Sequence, residues 1–128
     1  MAWAWKQYLE FADKIHSLPS ANESCHRSSI SRSYYYAFHA AVDFVTPIAS
    51  EPPSGTGEDH SWVIRMLFEH GPVHKDIAKC LQRMKPRRRS ADYDAIYPGS
   101  VALESKQCIE DARKVQEYLS RLNPRPKP

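Results

Sequence analysis

Apolar residues recur every three or four positions along most of this chain and nowhere alternate cleanly with polar ones. That period belongs to helices with one buried face, not to strands. Trp5, Tyr8, Leu9, Ala12 and Ile15 form one such stripe within residues 3–17. Ile30, Tyr34, Ala37, Ala41, Phe44 and Val45 form a second, and Trp62, Ile64, Met66, Leu67 and Phe68 cluster in a third segment. Val73, Ile77, Cys80, Leu81 and Met84 make a fourth, and Val101, Ile109, Ala112, Val115, Tyr118 and Leu119 a fifth. Asn-Gly and Asp-Gly hairpin turns are absent. The expected class is all-α, an up-and-down bundle of four or five helices.

Breakers set the expected boundaries. Leu18-Pro19 ends the first helix, and Ser20 with Glu23 has the spacing of a capping box opening a long helix over residues 21–45. Residues 47–58 (PIASEPPSGTGE) read as a loop. A short helix over 59–69 stops at Gly71-Pro72. The next runs over 73–85 until Pro86 interrupts it, and residues 90–99 (SADYDAIYPG) form an ordered turn. The last helix covers 100–122. The ending, NPRPKP, has nothing to pack, so residues 1–122 read as one helical domain and 123–128 as a disordered tail.

With 128 residues the chain can bury one core without staples. No apolar run is long enough to span a membrane, and the amphipathic start with early acids does not read as a signal peptide. Cys25, Cys80 and Cys108 are widely spaced without a CxxC, which suits reduced thiols in a cytoplasmic protein and no zinc site. The net charge of +3 weakly favours an anionic partner. Arg83, Lys85, Arg87, Arg88 and Arg89 crowd one segment, which suits either a solvated loop or a phosphate-binding rim.

The densest chemistry lies in SISRSYYYAFHAA, residues 29–41. At helical spacing Ile30, Tyr34, Ala37 and Ala41 face a core, while Arg32, Tyr36, His39 and Asp43 share the opposite side. Such a side is either a solvated face or a site. As a site, His39 moves protons near neutral pH, Asp43 one turn on orients it, and Arg32 binds a phosphate through two hydrogen bonds. That set suits metal-free cleavage of RNA. One histidine cannot serve both ends of the reaction, so a two-fold dimer supplying a second Arg/His pair is expected.

Elsewhere, His60 follows Asp59 at a helix start, either as a plain first-turn residue beside an N-cap or as a base or nucleotide contact. His70 and His74 have the spacing of two metal ligands, but Gly71-Pro72 lies between them, so no metal is expected. Asp92, Tyr93 and Asp94 could together hold one magnesium ion. Arg88 is expected to be structural, and Arg87 and Arg89 free to touch RNA or a partner. No glycine-rich phosphate loop or cofactor motif occurs.

RSSISRSYYYAFHAA, residues 27–41, resembles the RxxxxRxYYAxFHAA signature of small bacterial HEPN-domain proteins. DHSWVIRMLF, residues 59–68, resembles that family's H-S-x-x-I-x-x-F segment, and RRSADYD, residues 88–94, its R-x-x-A-D-Y-D turn. The three blocks stand in the family's order. The resemblance implies a homodimeric helical bundle, partnered by a minimal nucleotidyltransferase in a toxin–antitoxin or phage-defence pair. Active members cut RNA without metal through R-x(4–6)-H, a pattern that Arg32 and His39 fit. It implies Arg32 and His39 as catalytic residues with Tyr36 and Asp43 in support, and Tyr36 as a candidate for nucleotide attachment. Arg87, Arg89 and His60 would contact RNA or a nucleotide, with no cofactor. The matching R-x-x-A-D-Y-D block implies that Asp92 and Asp94 pair with nearby arginines and that Tyr93 packs, fixing the turn rather than holding magnesium. The alternative it carries is a non-catalytic HEPN subunit that binds the nucleotidyltransferase or a nucleotide.

Overall fold

The longest helix is opened by Asn22, not Ser20: the Asn22 carboxamide oxygen accepts the Cys25 backbone N–H at 3.0 Å. This is an ordinary N-cap, satisfying a donor the helix itself cannot. The structure is a computed structural model, and it describes residues 4–50, 52–53 and 59–122. Five helices are present, α1 (Lys6–His16), α2 (Glu23–Val45), α3 (Asp59–Phe68), α4 (Pro72–Tyr93) and α5 (Val101–Leu122), with a 3-10 turn over Thr46–Ile48. The described residues contain no strand, and no helix among them is long and apolar enough to cross a membrane. The tail expected over 123–128 and most of the loop over 47–58 lie outside the described residues.

Helix α2 is central and packs against each of the other four. Its surroundings explain a departure from the one-face expectation. A helix touched on several sides buries most of its circumference, so Ser29, Ser33 and Tyr36 are buried along with Ile30, Tyr34, Ala37 and Ala41. Ser29 is accommodated because its hydroxyl donates to the Ala12 carbonyl at 2.7 Å, a bond between α2 and α1. The alanines at 37 and 41, fully buried, allow the neighbouring helices to approach closely.

Helix α4 also departs from expectation. Pro86 does not end it; the helix continues for almost two more turns to Tyr93. A proline inside a helix leaves the carbonyl four residues earlier without its partner. Here that residue is Gln82, and both Gln82 and Pro86 line an open groove. At the start of α4, Gly71 has φ 136°, a region glycine enters without steric cost, which makes the tight link from α3 possible.

Arginines fix how α4 sits. Arg27 of α2 donates to the carbonyls of Ala91, Asp94 and Ala95 at 3.3, 2.5 and 3.3 Å, and also pairs with Glu23 at 2.9 Å. These carbonyls are the unsatisfied end of a helix and the turn after it, and a cation is the natural partner there. Arg83 donates to the buried Asp111 carboxylate at 2.8 Å, and Arg87 pairs with Glu104 at 3.5 Å, joining α4 to α5. Tyr97 donates to Glu104 at 2.6 Å and closes the intervening turn.

Candidate functional site

The expected site residues fall on two flanks of α2. On the flank toward α1, the Arg32 guanidinium lies over the Tyr8 ring, 4.8 Å from its centroid, and is otherwise exposed. The His39 ring is stacked on Trp5 at 3.7 Å between centroids and 10° between planes. Trp5 and Tyr8 themselves lie 5.7 Å apart, so the start of α1 brings a pair of rings onto the pair of polar residues. Neither nitrogen of His39 has a hydrogen-bond partner among the described residues, and Arg32 has no acid there. Half-burial lowers the His39 pKa below its ordinary value, and the exposed Asp43 one turn away opposes that only in part. The imidazole is therefore neutral at neutral pH and able to accept a proton.

Tyr36 does not join them. It is buried, and burial pushes its phenol pKa up, so it has neither the access nor the acidity for the supporting role expected on the outer face. The reason is the central position of α2, which the spacing of its own residues could not reveal.

On the flank toward α3 and α4, the Tyr34 hydroxyl and His60 Nδ1 are 2.8 Å apart. Burial, with Lys85 and Arg88 adding like-charge repulsion, drives the His60 pKa down to about 4, so this imidazole is also neutral. Arg88 stands over the Tyr34, Tyr35 and Tyr93 rings at 5.3, 5.6 and 5.9 Å and pairs with Asp92 at 3.4 Å, while Ser31 also donates to Asp92 at 3.3 Å. Its Nε is buried without a partner. Asp92 and Arg88 thus take the structural roles expected of them. Tyr93 does not: it is 75% exposed rather than packed.

An open groove of about 770 Å³ runs beside this cluster, with His60, Lys85, Arg89 and Tyr93 on its walls. Lys85 and Arg89 are four apart on α4 and neither has an ion-pair partner among the described residues. Partial burial and the neighbouring Arg88 and Arg89 lower the Lys85 pKa, a mark of uncompensated positive charge. Of the three residues expected to contact RNA, His60 and Arg89 meet here. Arg87 does not, because it turns to the other side of α4, toward Glu104 and Asp111 at 3.5 and 4.0 Å. Sequence reasoning placed Lys85 in a candidate phosphate-binding rim without pairing it with Arg89 alone, and missed Tyr93 as a member of this group. The signal existed in the Lys85–Arg89 spacing, but it has meaning only if the helix survives Pro86.

The remaining histidines are engaged in the fold. His70 places Nδ1 2.6 Å from the Met66 carbonyl and Nε2 3.2 Å from the Ile48 carbonyl, donating to one or the other according to its tautomer, and no cluster of metal-ligating side chains occurs among the described residues. Cys25, Cys80 and Cys108 are unpaired, and burial pushes the Cys108 thiol up to about 12.

No family model, no curated protein and no solved structure matches this chain.

Proposed function

We propose that the protein is a homodimeric HEPN-type endoribonuclease that works without metal, as the toxin member of a pair with a nucleotidyltransferase. The observation that supports this most is the Arg32/His39 pair. It sets an exposed guanidinium and a neutral imidazole, neither with an ion-pair or hydrogen-bond partner among the described residues, two turns apart on one flank of α2. In this reading His39 accepts the proton of a ribose 2′-hydroxyl. Arg32 holds the phosphate and stabilises the negative charge that builds on it. Asp43 tunes His39 through its charge. A second copy of the chain supplies the proton for the leaving oxygen.

The alternative is a non-catalytic subunit that binds a nucleotide or the partner enzyme. Lys85 and Arg89 beside His60, without ion-pair partners among the described residues, favour it, because such a groove attracts phosphate with or without chemistry. Cleavage of RNA by the purified protein in EDTA separates the two. The nuclease reading expects 2′,3′-cyclic phosphate ends, lost in both Arg32→Ala and His39→Gln variants that melt like the wild type. An inert wild type, or cleavage that survives both substitutions, would remove it.

A further inference from the structure

The two flanks of α2 are joined by a strip of rings. From the Trp5–His39 stack it passes to Tyr35 and Phe38, 6.1 and 5.3 Å from His39. From there it reaches His60, 6.4 Å from Phe38, and Arg88, 5.6 Å from the Tyr35 centroid. Arg88 in turn stands over Tyr93, on the wall of the groove. Aromatic rings interleaved with cations are how proteins hold single strands, since every base has a face to stack and every nucleotide a phosphate to bind. A duplex hides its base faces and offers only phosphates and edges.

We propose that the groove between α3 and α4 is a subsite for one unpaired nucleotide of an RNA strand, remote from the Arg32/His39 pair. The base stacks on Tyr93, an exposed ring whose phenol belongs to no packed cluster. Lys85 and Arg89 hold its phosphate. They present two charges, without ion-pair partners among the described residues, one helical turn apart, the arrangement in which neighbouring side chains reach one group. Gln82 and Asp94, also on the walls, offer donors and acceptors to the base edge or the sugar. His60 stays uncharged and closes the inner end through its bond to Tyr34. The volume of about 770 Å³ lies within the range of about 300–1,000 Å³ usual for ligand pockets. A strand lying along the strip would be gripped at this groove while a phosphate further along it meets Arg32.

This rests on the RNA-cleaving reading for the identity of the strand, but it is tested by binding alone. The probe is a fluorescent single-stranded RNA of eight to ten nucleotides, followed by anisotropy in EDTA, with its 2′-hydroxyls methylated so that it cannot be cut. Tyr93→Ala is expected to weaken binding about tenfold, the loss of one base stack. Lys85→Ala with Arg89→Ala is expected to weaken it and flatten the dependence on salt. The slope of log affinity against log salt should fall by about 0.7 for each phosphate no longer neutralised, a change that mere loosening of the helix does not produce. A hairpin duplex of equal length should bind more weakly. Groove variants that bind like the wild type, while Arg32→Ala weakens binding, would overturn the subsite and leave the nuclease reading intact. Groove variants that lose affinity in a protein that cuts no RNA would uphold the subsite and remove the nuclease. Equal affinity for the duplex would overturn the inference in favour of phosphate binding alone. A free mononucleotide competing as well as the oligomer would overturn it in favour of a small-molecule pocket, and a wild type that binds no RNA would overturn it outright.

Discussion

The two flanks of α2 each hold a neutral histidine, and they keep it neutral by different means. Toward α1, His39 is covered by the face of Trp5 and has a carboxylate, Asp43, pulling its pKa partly back. Toward α4, His60 is surrounded by cations as well as buried, and its pKa falls to about 4. The first arrangement leaves both ring nitrogens without hydrogen-bond partners among the described residues, so either can exchange a proton. The second ties Nδ1 to Tyr34 and sets positive charge around it, as a wall that attracts phosphate requires. On the proposed reading, α2 carries the residues for chemistry on its α1 flank, while α3 and α4 on its other flank supply the walls that would hold a strand.

The largest effect expected from breaking this contrast is on the α1 flank. His39→Gln keeps bulk beneath Trp5 and, on the nuclease reading, removes the base. Cleavage should fall by about 10²- to 10⁴-fold, the usual worth of a positioned acid or base, in single-turnover assays. Next is the common support of both flanks. Arg27→Ala strips the α4 end of its cation, and since hydrogen bonds to charged groups are worth about 1.5–3 kcal/mol, stability should drop by that order in urea melts. Arg27→Lys should recover little, because an ammonium cannot fork between several carbonyls. Smaller again is Asp43→Asn, which should move the acid limb of the pH–rate profile to lower pH. Its charge raises the His39 pKa, and removing it leaves burial unopposed.

The smallest effect is on stability against pH. A histidine whose folded pKa lies below its unfolded value binds fewer protons folded than unfolded. Its contribution is therefore complete above about 6.5 and lost as pH falls toward about 4. His60 should give the wild type a decline in urea midpoint across that window, and His60→Gln should make the decline shallower. His39 and His16 act in the same direction.

Much of the bundle was readable in the spacing of apolar residues. Ile30, Tyr34, Ala37 and Ala41 lie in the core as their period implies, and the breaks at Pro19, Pro47 and Gly71 coincide with real helix ends. What was not readable depended on neighbours distant in sequence. Tyr36 is buried because helices contact α2 on several sides, whereas periodicity can assign only one buried face. Pro86 sits within α4 at a place where it and Gln82 line an open groove, a fact of tertiary structure. That one proline hid the Lys85–Arg89 pairing and so half of the groove. Arg87 and Arg89 look alike in a basic run, yet two positions on a helix differ by roughly 200°, and only one of them meets the acids of α5. His60 and Arg89 could be named from sequence, while their meeting place could not.

The division of labour between the flanks is tested most directly by steady-state kinetics on one short single-stranded RNA in EDTA, comparing His39→Gln with Tyr93→Ala. The expected result is a split: His39→Gln abolishes kcat, whereas Tyr93→Ala leaves kcat near wild type and raises KM about tenfold. Two variants that depress kcat alike, or a Tyr93→Ala enzyme with unchanged KM, would contradict it.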